Sequence, residues 1–160
     1  MSPKRKVGKQ SEFKEAVLSA ISHSTEDSEK VKASILELLP KDIREKYAER
    51  FTLRIYKGFH GNEIKFIQII IKGKDAMNLL KNILCNLNES SINMLLETLN
   101  ERIDKSGNLY LRVGKQDAYK GRTELLEGDD TIRIIFKPRY HRDDFWAEFI
   151  SNQITVRCKD

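Results

Sequence analysis

Cysteine is nearly absent from this sequence. The two present, Cys85 and Cys158, stand far apart, and no Cys-x-x-Cys spacing occurs. A thiolate metal site or a redox dithiol is therefore not indicated, and no disulfide framework is expected. Proline and glycine are sparse, at three and eight residues, and neither an internal repeat nor a low-complexity segment is visible. No apolar run approaches the ~18 residues that a membrane span needs. The opening MSPKRKVGKQ has no apolar h-region, so no secretory signal is expected. These absences suit a reducing, cytoplasmic setting.

Acids are outnumbered. There are 29 Lys and Arg against 24 Asp and Glu, a net charge of +5 and a pI of about 9.1. Such an excess is compatible with a polyanionic partner without demonstrating one. With 160 residues, 33% charged and 39% hydrophobic, the chain can bury a core without metals or disulfides. Lys4, Arg5, Lys6 and Lys9 are met by no acid among the first ten residues. The expectation is a basic, flexible tail over residues 1–10 and one domain over residues 11–160.

Residues 13–22, FKEAVLSAIS, are ambiguous. Phe13, Val17, Ala20 and Ile21 fall at helical spacing. Val17, Ser19 and Ile21 also fit one side of a strand, with Leu18 and Ala20 on the other, and the pattern alone favours helix. SHSTEDSEKVKASILELLP is clearer: Ser24 or Thr25 can cap a helix, acids fill its first turn, and Val31, Ile35, Leu38 and Leu39 form its stripe. Pro40 ends it. KDIREKYAER reads as a short helical turn. A hairpin follows, with Phe51, Leu53 and Ile55 on one side and Thr52, Arg54 and Tyr56 on the other. Residues 64–71 are so apolar that a central strand covered on both faces is expected.

Asp75 and Asn88 can each cap a further helix. The first has the stripe Met77, Leu80, Ile83, Leu84 and Leu87. The second turns Ile92, Leu95, Leu96, Leu99 and Ile103 inward and is closed by Gly107. NLYLRV is a strand leading into a basic loop, TIRIIFKP another strand, and RDDFWAEFISNQI a helix. Helices on one face of a mostly antiparallel sheet make an α+β two-layer sandwich.

Catalytic patterns are missing. Gly114-Lys115 and Gly121-Arg122 do not make a P-loop. His23, His60 and His141 lack ligand spacing, and no serine lies in G-x-S-x-G. The expectation is a non-enzyme without metal or cofactor.

One chemistry does stand out. Opposite the apolar side of each strand lie Arg54 and Tyr56, Tyr110 and Arg112, and Arg133 and Lys137. On one sheet these would share an exposed face, where aromatics can stack on bases and guanidiniums can bridge phosphates. Lys57, Lys115, Lys120, Arg122, Arg139 and Arg142 could rim that face. Residues 108–123 hold four cations against one acid, Asp117. Phe66, Ile70 and Ile135 would make the same face greasy, as a protein interface is. The Phe145, Trp146 and Phe149 stripe could serve a partner too. Nucleic acid and protein both remain open on these residues.

Three stretches together carry a resemblance. SHSTEDSEKVKASILELLP, GFHGNEI and SGNLYLRVGKQDAYKG resemble, in order, motifs of the archaeal RNA-binding proteins described as predicted exosome subunits. The resemblance covers about residues 16–140. It implies a ribosomal L-five-like fold, RNA as partner and a link to exosome or other RNA-processing proteins; the greasy outer side of residues 64–71 and the Phe145, Trp146 and Phe149 stripe leave room for a homodimer. By position it implicates Tyr110, Arg112, Lys115, Gln116 and Tyr119, and it implies a strand over residues 16–22. The chain departs from the pattern at Phe59-His60, at Glu63, at Gly114 and at Asp117.

Overall fold

The computed structural model describes residues 11–156; the expected tail and Cys158 lie outside them. Five strands form one antiparallel sheet in the order β2-β3-β1-β5-β4. They are β1 (Phe13–His23), β2 (Thr52–Lys57), β3 (Glu63–Lys72), β4 (Leu109–Gly114) and β5 (Thr131–Pro138). The helices are α1 (Ser28–Leu38), α2 (Lys41–Tyr47), α3 (Gly73–Asn86), α4 (Glu89–Thr98), α5 (Lys115–Tyr119) and α6 (Phe145–Val156). The α+β architecture with a mostly antiparallel sheet is as expected.

The strand at residues 16–22 is present, although helical spacing competed for it. Ala16, Leu18 and Ala20 point into the core while Val17 and Ile21 lie on the other face, so apolar residues on both sides blurred the alternation. A register shift between Phe13 and Glu15 adds one residue and turns Phe13 inward as well. There its ring meets Phe136, Phe145, Trp146 and Phe149 at centroid distances of 6.2, 5.9, 5.3 and 5.1 Å.

Inward residues of the sheet pack against helical stripes in one core. Ile67, Ile69 and Ile71 of β3, Leu109, Leu111 and Val113 of β4, and Ile132, Ile134 and Phe136 of β5 meet Val31, Ile35 and Leu38 of α1 and Leu79, Leu80 and Ile83 of α3. The Phe145, Trp146 and Ile150 stripe of α6 belongs to this core. Trp146 donates from its indole nitrogen to the Gly107 carbonyl at 2.7 Å. This corrects the expectation of a docking stripe there.

Several local expectations also change. Asp27, not Ser24 or Thr25, caps α1 by accepting from the Glu29 N–H at 2.9 Å. Asn88 caps α4 as expected. Asp75 caps nothing: it sits in the first turn of α3 and binds Lys46 and Tyr47. Leu96 is exposed rather than inward. The basic loop after β4 is the short helix α5. The isoleucine-rich strand β3 is interior, between β2 and β1, but is not covered on both faces, since Ile70 is exposed; β1 is the middle strand and β2 an open edge. Leu53 and Ile55 of that edge are 41% and 53% exposed.

Candidate nucleic-acid interface

Register fixes which side chains share the uncovered face of the sheet. Arg54 pairs with Phe66 and Phe66 with Ile21; Ser19 pairs with Gln68 on one side and Arg133 on the other; Arg133 pairs with Arg112. Val17 pairs with Ile70 and Ile135, and Ile135 with Tyr110. Paired residues point to the same side of a sheet. Arg54, Tyr56, Tyr110, Arg112, Arg133 and Lys137 therefore stand on one face, as the strand alternation predicts.

Two guanidiniums on this face lie over aromatic rings. Arg54 is 5.4 Å from the Phe66 centroid and Arg133 5.4 Å from that of Tyr110. Such stacking holds a planar cation against the sheet with its edge toward solvent. Between these pairs is a hollow of about 180 Å³ whose lining includes Ser19, Phe66, Arg112, Thr131 and Arg133, with Asp129 as its acid. Arg112 donates weakly to the Gly128 carbonyl at 3.4 Å.

Tyr110 is positioned from below. Asp104 begins a tight turn in which Gly107 has φ 88°, a backbone region where a side chain would be strained. The Asp104 carboxylate accepts from the N–H groups of Ser106 and Asn108 and from the Tyr110 hydroxyl at 2.9 Å. The hydrogen bond to Asp104 raises the Tyr110 pKa. Burial pushes the Asp104 carboxyl up, but these donors outweigh it and hold it below its ordinary value.

At the far end of the face Glu15 faces Lys72 and Lys137, at 2.9 and 3.7 Å. Burial raises the Glu15 pKa, and the hydrogen bond and charge of Lys72, with the charge of Lys137, overcome it and leave it lowered. Lys137 is thus on the expected face but already carries an acidic neighbour.

The other expected residues lie elsewhere. Lys57 alternates onto the opposite pleat from Tyr56 and pairs with Glu63. Lys115 is a correction. It is 3% exposed, and its ammonium donates to the Ile21 carbonyl at 2.8 Å and meets Glu26 and Asp130 at 3.0 and 3.4 Å. Ile21 lies two residues beyond Ser19, the last pairing position between β1 and β5. The lysine therefore closes the end of the sheet and is not free for an external phosphate. Gln116, Tyr119 and Lys120 belong to α5 or its end, beside α1 in the helical layer. Arg122 is exposed 3.4 Å from Asp117. Arg139 donates to the Ser11 carbonyl, and Arg142 binds Glu148.

Phe66 is the residue that sequence reasoning passed over, treating it only as greasy surface. Its register position beside Arg54 was the missing signal. Phe59, at the tip of the β2–β3 hairpin, is 98% exposed. Among the described residues no group of three or more His, Cys, Asp or Glu could hold a metal ion, and no helix is long and apolar enough to cross a membrane.

A family model described as RNA binding matches residues 15–138. An uncharacterised protein of Methanocaldococcus jannaschii is 32% identical over 145 residues, 86% of this chain and 95% of that protein. An RNA-binding protein of Pyrococcus abyssi is 34% identical over 116 residues, 72% of this chain and 75% of that protein. A solved structure from Sulfolobus solfataricus superposes with a TM-score of 0.72 at 28% identity, covering 89% of this chain and 98% of its own.

Proposed function

The chain belongs to the family described as RNA binding, and from that membership we propose that it binds RNA on the open face of its sheet without cleaving it. The observation that carries the reading is the Arg112–Arg133 pair, directly opposite across β4 and β5 beside the Phe66 hollow. Like charges placed so oppose one another, and an anion between them removes the conflict. Guanidiniums match phosphate oxygens in geometry and charge. Arg54 and Arg133 already lie over the Phe66 and Tyr110 rings, and such Arg–aromatic pairs can take a base against the guanidinium plane irrespective of sequence. Binding of this kind reads backbone and shape more than sequence.

The finer reading follows the three-motif resemblance. The protein acts in RNA processing or degradation, in company with an exosome or another RNA-processing assembly, and its sheet and helices have the ribosomal L-five-like arrangement. Its setting is cytoplasmic, supported by the RNA partner. The division into a basic segment over residues 1–10 and one RNA-binding domain beyond it is part of the same proposal. The absence of catalytic spacings in the sequence supports the non-enzymatic role.

The test is fluorescence anisotropy with a labelled single-stranded RNA over a salt series. Each phosphate contact on a single strand contributes roughly 0.7 to the slope of log affinity on log salt. Arg112→Ala/Arg133→Ala therefore binds more weakly, with a slope shallower by about 1.4. An unchanged affinity and slope would refute the surface.

A second reading, a protein-interaction or dimerisation subunit, is favoured by the β2 edge, where Leu53 and Ile55 are exposed on a strand paired on one side only. Unpaired edges recruit strands from other chains. Sedimentation velocity with Leu53→Lys/Ile55→Lys separates this reading: an oligomer dispersed by the substitutions supports it, and a wild-type monomer removes self-association.

A further inference from the structure

Away from the open face, α1 and α5 leave a cleft of about 250 Å³ between them. One wall is the Tyr119 ring, which is 44% exposed, with the Lys30 ammonium 5.7 Å from its centroid. Gln116 stands on the same short helix, and Asp27 stands at the start of α1. Buried Lys115, the partly exposed Glu26 paired with it, Val31 and Ser34 complete the lining.

These groups do not make a phosphate site. Lys30 and Lys115 are balanced by Glu26 and Asp27, and the Lys115 ammonium is already engaged by Glu26, Asp130 and the Ile21 carbonyl. The groups suit a flat, neutral, hydrogen-bonding ring. Tyr119 supplies a stacking surface, and the Gln116 amide can both donate and accept. A carboxylate accepts only, so Asp27 favours a ring edge that carries N–H groups. The volume falls below the ~300–1,000 Å³ of a drug-sized site, which suits one base and not a folded nucleotide chain.

We propose that the α1–α5 cleft captures a single unpaired nucleobase bearing an amino group, stacked on Tyr119, as a second point of RNA contact. The inference rests on the RNA-binding reading and adds base preference to a face that grips the backbone. Adenine, cytosine and guanine, whose amino groups place donors at the ring edge, enter the cleft in preference to uracil, whose single ring N–H lies between two carbonyl oxygens that the Asp27 carboxylate repels.

The test titrates the isotope-labelled full chain with each of the four nucleoside monophosphates and with inorganic phosphate, read by amide chemical shifts. The expected perturbations cluster at Asp27, Lys30, Gln116 and Tyr119, are weaker for uridine monophosphate, and are absent for phosphate. Tyr119→Ala lowers the monophosphate affinity roughly tenfold or more, the scale of one base–aromatic stack, whereas Tyr119→Phe retains it. Arg112→Ala/Arg133→Ala leaves these shifts intact while weakening the RNA oligonucleotide. The inference is overturned if phosphate alone moves the same amides, or if the shifts fall on the open face. It is also overturned if monophosphates move nothing in a protein that still binds the oligonucleotide, an outcome that leaves the open-face reading standing. A wild-type chain that binds no RNA at all removes both.

Discussion

Arg112 and Arg133 are cross-strand partners on the uncovered face of the sheet. Arg133 lies over the Tyr110 ring, while Arg112 reaches only as far as the Gly128 carbonyl at 3.4 Å. A fold selected for stability alone has little use for two like charges in that position, because opposed cations destabilise a strand pair. Arg112→Thr is accordingly expected to leave the melting temperature unchanged or raise it slightly, while RNA binding falls. Calorimetry and anisotropy on one preparation check the two effects together. A marked loss of stability would mean that Arg112 is structural.

Lys115 should behave in the opposite way. Its ammonium satisfies the Ile21 carbonyl and two carboxylates from within the fold. Lys115→Met leaves those acceptors without their donor and costs about 2 kcal/mol, within the range for buried polar groups stripped of a partner. Urea unfolding gives that number. The slope of log RNA affinity on log salt stays at the wild-type value, so a shallower slope with full stability would return Lys115 to the phosphate-binding surface.

Trp146 is a core residue and not a docking residue. Its ring meets Phe13 edge-on at 5.3 Å, and its indole nitrogen donates to Gly107. Trp146→Ala is expected to cost about 3–5 kcal/mol, as large aromatic truncations in cores do. Chemical denaturation monitored by far-ultraviolet circular dichroism measures it. A variant as stable as wild type would contradict the packing described.

Acid should weaken the fold. Glu15, Glu26, Asp75 and Asp104 all have lowered pKa values. In each, burial acts upward and is outweighed by cations or hydrogen-bond donors. The sign follows from linkage: a carboxyl depressed in the folded state stabilises the fold fully above its unfolded pKa. That contribution is lost as pH falls through the ordinary values, 4.5 for Glu and 3.8 for Asp, toward the depressed ones. Melting temperatures taken from neutral pH downward should fall in that window. The fall should be smaller for Asp75→Asn, which removes the carboxylate bound by Lys46 and Tyr47. A melting temperature flat across the window would contradict this account.

Much of the fold could be read from periodicity because most elements obeyed one period. Val31, Ile35 and Leu38 mark α1, and Leu109, Leu111 and Val113 alternate cleanly with Tyr110 and Arg112. Periodicity failed where tertiary placement overrode it. In β1 the extra residue near Phe13 and the apolar outer residues Val17 and Ile21 gave a helical spacing to a strand. In β3 the isoleucine run suggested a doubly covered strand, yet Phe66 and Ile70 lie on the open face. Alternation could assign Arg54, Tyr110, Arg112 and Arg133 to a face. It could not foresee that Lys115 turns inward, since the Ile21 carbonyl and Glu26 that hold it lie 94 and 89 residues away in the chain.

The most direct test of the central claim is photocrosslinking of thiouridine-substituted RNA to the full chain, followed by mass spectrometry of the attached peptides. Attachments should concentrate on the outward residues of β3, β5 and β4, around Phe66, Arg133, Tyr110 and Arg112. Attachments confined to the helical layer or to the β2 edge, with none at those four positions, would contradict an RNA strand lying on the open sheet.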